Sequence, residues 1–233
     1  MNSPKLWLRL KSGNKMSSEN IRIKICGLRS ASASIAASDA GANYLGFNFI
    51  EGVRRQIQPE DGTQIIADYR SGRKTLNRPE LVGLFLNQNP AFVNETARNA
   101  GLDSLQLCGE EDADYISKID LPIFKMVRVK DGSTATTISD IVAPLLDAGH
   151  GIVLDRYDKK VLGGTGISFD WNAAEGVANR ENVFLAGGLN PENVRSVIKQ
   201  LSPWGVDVAS GVETDGVKDP DRIRAFIEAA RNA

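Results

Sequence analysis

The sequence contains little histidine and little cysteine. Its 233 residues include one histidine, His150, and two cysteines, Cys26 and Cys108, which belong to no metal-ligand spacing. A Ser-His-Asp triad or a multi-histidine zinc site is hard to build from this set, and two cysteines are too few for a disulfide scaffold. We therefore expect no metal site, and we expect both cysteines to be free thiols, as in a cytoplasmic protein. Any chemistry would then be carried by cysteine, carboxylate, lysine or tyrosine side chains.

The sequence also lacks an excess of charge and a long apolar run. Lysine plus arginine number 28 and aspartate plus glutamate 29, so the net charge of -1 provides no broad basic surface for nucleic acid or an anionic membrane. No stretch approaches the ~18 consecutive apolar residues of a membrane span. Residues 1–20 mix Lys5, Arg9 and Lys11 with short apolar runs, unlike a signal peptide. We expect them to be a disordered or tag-like extension, and residues 21–233 to form one domain.

From Ile21 onward, short β-rich segments alternate with segments of helical period. The predicted strands span residues 21–27, 44–49, 80–86, 104–109, 122–129, 151–157, 183–188 and 205–211, and the predicted helices span residues 30–40, 59–69, 90–100, 111–119, 137–147, 171–178, 191–201 and 220–230. Eight strand–helix units in about 210 residues predict an α/β fold, a single-domain (β/α)8 TIM barrel. The competing doubly wound open sheet is disfavoured because no GxGxxG follows the first strand.

Cys26 ends the first predicted strand, where barrel enzymes place their chemistry. The two-residue period of a strand puts Lys24 and Cys26 on one face, and Ile23 and Ile25 on the face that packs against helices. At the barrel mouth, one layer above Lys24, the positive charge of the lysine would favour the thiolate form of Cys26. The thiolate could then serve as a base or nucleophile. The alternative is a small buried hydrophobic residue.

Asp155 closes the apolar run of the sixth predicted strand. A partly desolvated carboxyl at this position would have a raised pKa and act as a general acid. The alternative is an Asx turn or cap at the strand end. His150 precedes the same strand and is therefore expected on the opposite, structural face of the barrel.

Anion-binding features follow the late strands and the second strand. Glycines cluster at Gly163, Gly164 and Gly166, at Gly187 and Gly188, and at Gly211 after Ser210. In this fold, phosphate commonly binds beside strands seven and eight, so the clusters favour a phosphorylated substrate over glycines needed only for turns.

Adjacent arginines, Arg54 and Arg55, follow the second strand. They are interpreted either as a guanidinium fork for a substrate carboxylate or as solvated charge.

Motifs occur in order through nearly every barrel unit. They are KICG at 24–27, GFNF at 46–49, RxxxPE at 55–60, QLCG at 106–109, VLD at 153–155, GGTGISFDW at 163–171, LAGGLNPENV at 185–194 and VDVASGVETDGVKDP at 206–220. With these motifs the chain, from about Ile21 to its C-terminus, resembles the phosphoribosylanthranilate isomerase family of tryptophan biosynthesis. The resemblance implies an Amadori rearrangement of N-(5-phosphoribosyl)anthranilate to an aminoketose without a cofactor.

The resemblance also implies roles for individual residues. Asp155 would protonate the ribose ring oxygen and Cys26 would remove the C2 proton, so their environments are expected to move the two pKa values toward the working pH from opposite sides. Arg55 would hold the anthranilate carboxylate, and Asp207 would contact the substrate. The phosphate-binding positions would be Gly187, Gly188, Ser210 and Gly211. The protein would act as a monomer or a homodimer.

Two departures concern the anthranilate end of the pocket. Cys108 stands where the family usually has the histidine of QLHG, and the loop before Arg55 reads EGVRRQ without the usual proline. Loss of an imidazole there is expected to weaken binding by the ~1 kcal/mol of an ordinary hydrogen bond. The alternatives are a family paralogue acting on a different phosphorylated amino-sugar and a non-enzymatic barrel that binds a phosphorylated ligand. A phosphoketose epimerase is disfavoured because metal-binding histidines are absent.

Overall fold

The computed structural model describes residues 21–156 and 170–233. Eight parallel strands form a closed barrel in sequence order, and a two-stranded antiparallel hairpin follows the last of them. The barrel strands are β1 (Arg22–Ile25), β2 (Tyr44–Asn48), β3 (Glu80–Phe85), β4 (Ser104–Leu107), β5 (Ile123–Val129), β6 (Gly151–Arg156), β7 (Val183–Leu185) and β8 (Gly205–Val208), and the hairpin strands are β9 (Glu213–Thr214) and β10 (Val217–Lys218). The predicted (β/α)8 barrel is confirmed. The predicted extension over residues 1–20 lies outside the described residues.

Helices follow most of the barrel strands and lie on the outside of the barrel. They are α1 (Ala31–Asp39), α2 (Pro59–Gly72), α3 (Pro90–Ala100), α4 (Ala113–Ile116), α5 (Ala135–Asp147), α6 (Val194–Leu201) and α7 (Pro220–Arg231). Proline at the first position of α2, α3 and α7 needs no N–H partner there. Within the described ranges, no helix combines the length and the apolar character needed to cross a membrane.

The helical predictions were wrong in two places. The segment 171–178 contains a short 3₁₀ turn, Trp171–Ala174, instead of an α-helix. The segment 111–119 contains only the four-residue α4, and it begins after residue 112 because the Glu111 side chain accepts hydrogen bonds from the backbone N–H groups of Asn87 and Gly109, while Asp112 caps the helix. Polar side chains that bond to nearby backbone offer an alternative to helical hydrogen bonds.

The barrel interior is filled by aromatic residues near the amino ends of the strands. The Tyr44 ring meets the Phe184 ring edge-on with 5.1 Å between centroids, and the Phe184 and Trp204 centroids also lie 5.1 Å apart. Edge-to-face pairs of this kind contribute about 0.5–1.5 kcal/mol beyond area burial. Gly205 makes room for Phe184, since a Cβ at this glycine would lie 2.6 Å from the ring. This closed floor leaves the carboxyl ends of the strands as the place for a site.

Candidate active site

A buried ammonium group lies in the barrel above the aromatic floor. Lys24 is fully buried, and its Nζ donates to Asp207 Oδ2 at 2.8 Å and to Gln106 Oε1 at 2.5 Å. Lys24 and Asp207 are register partners in the parallel β1–β8 ladder, so both side chains enter the barrel at the same level. Burial opposes the charge of Lys24, but the Asp207 carboxylate and the Cys26 sulfur outweigh it and raise its pKa. The site therefore has a permanent positive charge at its centre.

Cys26 follows β1 directly and lies next to this ammonium group. Its Sγ is 3.7 Å from Lys24 Nζ, and Ile23 and Ile25 point outward into the helix-packed core, as the strand period predicted. A Cβ at Gly46 would lie 2.9 Å from Sγ, so the glycine of β2 gives the thiol its space. The predicted lowering of the Cys26 pKa is wrong, because burial raises the pKa further than Lys24 lowers it. The thiol is the dominant form at neutral pH.

Asp155 is the penultimate residue of β6 and lies on another side of the barrel mouth. Burial raises the pKa of its carboxyl to about 6, against an opposing hydrogen bond from the Arg156 backbone N–H at 2.8 Å. The Asp207 charge adds to the increase. The predicted raised pKa is confirmed. The hydrogen bond from the Arg156 backbone is of the kind that the alternative, an Asx turn, would make, but it does not cancel the raised pKa of the carboxyl. A carboxyl that titrates near 6 can hold a proton close to neutral pH and release it during a reaction.

Asp207 offers an acceptor to a ligand. While its Oδ2 binds Lys24, its buried Oδ1 has no hydrogen-bond partner among the residues of 21–156 and 170–233. An unpaired buried acceptor costs about 1–3 kcal/mol. A substrate hydroxyl or N–H that donates to Oδ1 would remove this cost, which agrees with the substrate contact that the sequence motif implied.

Arg55 lies at the mouth with its guanidinium already engaged by a carboxylate. Its Nε and Nη2 donate to Glu213 Oε1 and Oε2 at 2.6 and 2.9 Å. Lys218 Nζ donates to Glu213 Oε1 at 2.9 Å, and Arg54 Nη2 to Oε2 at 2.6 Å. Burial opposes the Glu213 charge, but the bond from Arg55 and the Lys218 cation hold the pKa of this carboxyl at about 2. Arg54 is mostly exposed, as solvated charge would be, whereas Arg55 is buried.

Sequence reasoning missed Glu213 and Lys218. They face each other on the β9–β10 hairpin, whose turn consists of Asp215 and Gly216. Both turn residues have positive φ, 51° and 79°, as a type I′ turn requires. The Asp-Gly pair is a strong hairpin signal and could have shown that Glu213 and Lys218 are cross-strand partners.

Cys108 follows β4 in an apolar part of the mouth. It belongs to a buried cluster with Cys26, Ile50 and Leu84, and both cysteines are free thiols, as predicted. Burial raises the pKa of Cys108 to about 12, and Gln106 Nε2, 3.5 Å from Sγ, partly opposes this. At this position the pocket therefore has an uncharged, weakly hydrogen-bonding wall in place of an imidazole.

Gly187, Gly188, Ser210 and Gly211 lie in the loops that directly follow β7 and β8, because both strands end before residues 188 and 211, to which they were predicted to extend. Gly187 and Gly188 have positive φ, 82° and 75°, which L-residues with side chains rarely adopt. Gly211 belongs to a 3₁₀ turn, Ser210–Val212, that packs closely on the loop after β7. A Cβ at Gly211 would lie 1.9 Å from the Leu189 carbonyl oxygen. The predicted phosphate glycines Gly163, Gly164 and Gly166 lie outside the described residues.

We expect Gly211→Ala to separate these two loops. The clash is with backbone, so the fold is expected to lose about 1–3 kcal/mol of unfolding free energy, and affinity for inorganic phosphate, which these loops are predicted to bind, to fall severalfold. Urea unfolding and calorimetric titration with phosphate measure the two effects. Gly72→Ala is the control, since its new Cβ would meet only the movable Cδ1 of Ile35, at 2.9 Å. Equal losses of stability and of affinity in Gly211→Ala and Gly72→Ala would contradict the close packing of the two loops at Gly211.

Comparison with known proteins identifies the family. Residues 23–229 match the family described as N-(5'phosphoribosyl)anthranilate (PRA) isomerase. The chain belongs to this family. It is 42% identical over 217 residues to N-(5'-phosphoribosyl)anthranilate isomerase of Dehalococcoides mccartyi, with 91% of this chain and 97% of that protein aligned. The resemblance inferred from the motifs is thereby confirmed, and the chain is an isomerase of tryptophan biosynthesis.

Solved structures of the family have the same fold. Phosphoribosyl anthranilate isomerase from Thermotoga maritima matches with a TM-score of 0.76 at 33% identity, over 91% of this chain and 100% of that chain. A second structure of such an isomerase, in complex with reduced 1-(o-carboxyphenylamino)-1-deoxyribulose 5-phosphate, matches with a TM-score of 0.72 at 32% identity over the same shares. The barrel mouth described above therefore belongs to an isomerase scaffold.

Proposed function

We propose that the barrel mouth performs the isomerisation of N-(5-phosphoribosyl)anthranilate to 1-(2-carboxyphenylamino)-1-deoxyribulose 5-phosphate with Asp155 as general acid and Cys26 as general base. One observation carries the assignment. A carboxyl whose pKa is raised to about 6 and a thiol 3.7 Å from a buried ammonium group share one mouth. An Amadori rearrangement requires one group that gives a proton and one that takes a proton.

In the first step, Asp155 donates its proton to the ribose ring oxygen. The C1–O bond breaks, the anthranilate nitrogen lone pair forms a C1=N bond, and the ring opens to a protonated Schiff base. The burial that raises the Asp155 pKa to about 6 leaves a fraction of the carboxyl protonated near neutral pH, and this fraction can donate its proton to the ring oxygen. Asp155 ends this step as a carboxylate.

In the second step, the Cys26 thiolate removes the proton from C2. The electron pair of the C2–H bond forms a C1=C2 double bond, and the C1=N pair returns to nitrogen, which produces an enolamine. The Lys24 ammonium stabilises the thiolate while it exists, since it is adjacent and permanently charged. The enolamine then tautomerises to the ketone as C1 gains a proton and the C2 hydroxyl loses one. Every step is a proton transfer or a bond shift, so no oxidant, reductant or cofactor is needed.

Groups around the catalytic pair are assigned to the ends of the substrate. Arg55 would bind the anthranilate carboxylate, and the apolar wall at Cys108 would face the aromatic ring. The unpaired Oδ1 of Asp207 would accept a hydrogen bond from the opened sugar. The phosphate would bind the backbone of Gly187, Gly188, Ser210 and Gly211, whose lack of bulky side chains permits close approach.

The assignment is tested by following the loss of fluorescence of freshly prepared phosphoribosylanthranilate with the purified wild-type chain, with product confirmed by mass spectrometry. We expect turnover at the rate of an ordinary biosynthetic enzyme, on the order of 1–10³ s⁻¹. An inert but folded protein that still binds ribose 5-phosphate would contradict the assignment. Turnover of other N-aryl or N-alkyl phosphoribosylamines would then favour the paralogue, and binding without turnover would favour the non-enzymatic barrel.

The assembly and the compartment are also proposals. The described groups of the site all come from one chain, so a monomer would be active, and a homodimer would carry two complete sites. The T. maritima isomerase is described as dimeric, and monomers have been generated from it. The two free thiols accord with a cytoplasmic location, and the phosphorylated small molecule is the expected partner, with no nucleic acid or membrane.

A further inference from the structure

We propose that Glu213 is a positioning residue that orients Arg55 and thereby sets the preference of the site for an aromatic carboxylate. The inference rests on the proposed role of Arg55 in binding that carboxylate. Glu213 would touch no substrate atom. It would act through the guanidinium that it holds.

The geometry of the pair determines which edge of Arg55 is left for a substrate. Glu213 binds the side edge of the guanidinium, with Oε1 on Nε at 2.6 Å and Oε2 on Nη2 at 2.9 Å. A guanidinium has five N–H donors in a rigid plane, and its end edge, formed by Nη1 and Nη2, can bind a second carboxylate bidentately. With the side edge held, the direction of the end edge is determined.

The arginine is also held near the catalytic thiol. Its stem crosses the backbone beside Cys26, where a Cβ at Gly27 would lie 2.4 Å from Arg55 Cδ. Arg55 is close enough that its charge lowers the pKa of Cys26, against the larger effect of burial. A carboxylate bound to the end edge of Arg55 would therefore hold the anthranilate close to the thiol that acts on the sugar.

Glu213 is what allows three cations to lie together. Arg54 and Arg55 come from the loop after β2, and Lys218 comes from β10, yet all three bind the same carboxylate. The side chains of Arg55, Lys218 and Glu213 are less than 10% exposed, so their mutual repulsion is poorly screened by water. Without the Glu213 charge, the cations would separate, and the flexible arginine would lose its orientation. Three cations on one carboxylate also leave two excess positive charges for an anionic substrate.

A purely structural role for Glu213, as a link between two loops, makes a different prediction. Loosening the loops would weaken every ligand alike. Loss of Arg55 orientation would instead weaken only ligands that carry the carboxylate. The ratio of two affinities separates the two roles, whereas a single affinity or a melting temperature does not.

The test uses two stable ligands and isothermal titration calorimetry on the whole protein. One ligand is reduced 1-(o-carboxyphenylamino)-1-deoxyribulose 5-phosphate, and the other is its counterpart made from aniline, which lacks the carboxylate. For the wild type we expect the carboxylate to improve affinity by about 10- to 100-fold, the range for a charge-assisted hydrogen-bonded pair. Arg55→Ala is expected to abolish this preference, and Glu213→Gln, which keeps size but not charge, to lower it about tenfold.

Two further variants make the outcome specific. Glu213→Asp keeps the charge and is expected to retain more of the preference than Glu213→Gln. Asp120→Asn removes an exposed carboxylate that pairs with Arg98 at 3.8 Å and not with Arg55 or Glu213. This variant is expected to leave the preference for the carboxylate ligand unchanged. Comparable melting temperatures would show that the variants fold.

The possible results separate the inference from its basis. If Arg55→Ala keeps the carboxylate preference, the proposed role of Arg55 is wrong, and the role of Glu213 falls with it. If Arg55→Ala abolishes the preference but Glu213→Gln keeps or increases it, Glu213 does not position Arg55. If Glu213→Gln weakens both ligands by the same factor, Glu213 only links the loops, and the inference is overturned.

Discussion

Replacement of Cys26 by alanine is expected to lower kcat by about 10²- to 10⁴-fold, the usual loss when a general base is removed. KM is expected to change little, because the proposed binding groups at both ends of the substrate are retained. The fold is expected to persist, since the lost Sγ makes one weak contact with Lys24 at 3.7 Å and lies in a small apolar cluster. The measurement is steady-state turnover of phosphoribosylanthranilate, with a melting curve of each variant.

Cys108 provides a matched control for Cys26. It is a second buried free thiol in the same cluster, so Cys108→Ala removes a similar volume and the same chemical group. We expect this variant to lose at most about tenfold, mainly through KM, as expected for a contact worth ~1 kcal/mol. A Cys26→Ala variant that retains more than a tenth of the wild-type kcat, or a larger loss for Cys108→Ala, would contradict the assignment of Cys26 as the base.

Asp155→Asn is expected to lower kcat/KM by about 10²- to 10⁴-fold and to change the shape of the pH profile. In the wild type, the active form holds a proton on Asp155 and none on Cys26. With pKa values of about 6 for Asp155 and above 9.0 for Cys26, this form is a minor species. Its fraction is constant between the two pKa values and falls tenfold per pH unit below about 6. Asparagine removes the lower pKa, so the variant rate is expected to rise with pH throughout this range.

The comparison between variant and wild type is essential, because the substrate phosphate also titrates near pH 6. That ionisation is common to both proteins, so only the difference between their profiles reports on Asp155. Profiles of the same shape in both proteins would show that Asp155 is not the acid.

The same substitution is expected to stabilise the fold above pH 6. The pKa of Asp155 is raised from 3.8 to about 6 in the folded protein, a difference equivalent to about 3 kcal/mol. Below about pH 4 the carboxyl is protonated in both the folded and unfolded states, so its ionisation costs nothing. The cost develops as pH rises from about 4 to 6 and is complete above about 6. Urea unfolding at pH 8 is therefore expected to show Asp155→Asn more stable by up to about 3 kcal/mol, and at pH 4 to show little difference.

The opposite effects on activity and stability distinguish a functional carboxyl from a structural one. A carboxylate that served only to accept the Arg156 backbone hydrogen bond at the end of β6 would have a lowered pKa, so asparagine in its place would not stabilise the fold at pH 8. A loss of stability in Asp155→Asn at pH 8 would thus contradict both the raised pKa and the role that it supports.

The sequence by itself determined the eight barrel strands, the closed barrel and the strand end at which each candidate residue lies, but not the β9–β10 hairpin. These properties are local: a strand period of two residues placed Lys24 and Cys26 inward and Ile23 and Ile25 outward, and the structure confirms this. Proline and turn residues marked most helix starts to within a few residues. The family motifs identified the isomerase for the same reason, because each is a short contiguous segment.

The tertiary structure alone decided the electrostatics of the mouth. Barrel closure brings β8 beside β1, so Lys24 meets Asp207 from a position 183 residues away, and the loop after β2 meets the β9–β10 hairpin at Glu213. No strand or helix period encodes such contacts. The pKa shifts depend on burial from all sides as well as on charge, which is why the prediction for Asp155 was right and that for Cys26 was wrong. Sequence placed the groups at the mouth, and only the closed barrel determined how strongly each holds its proton.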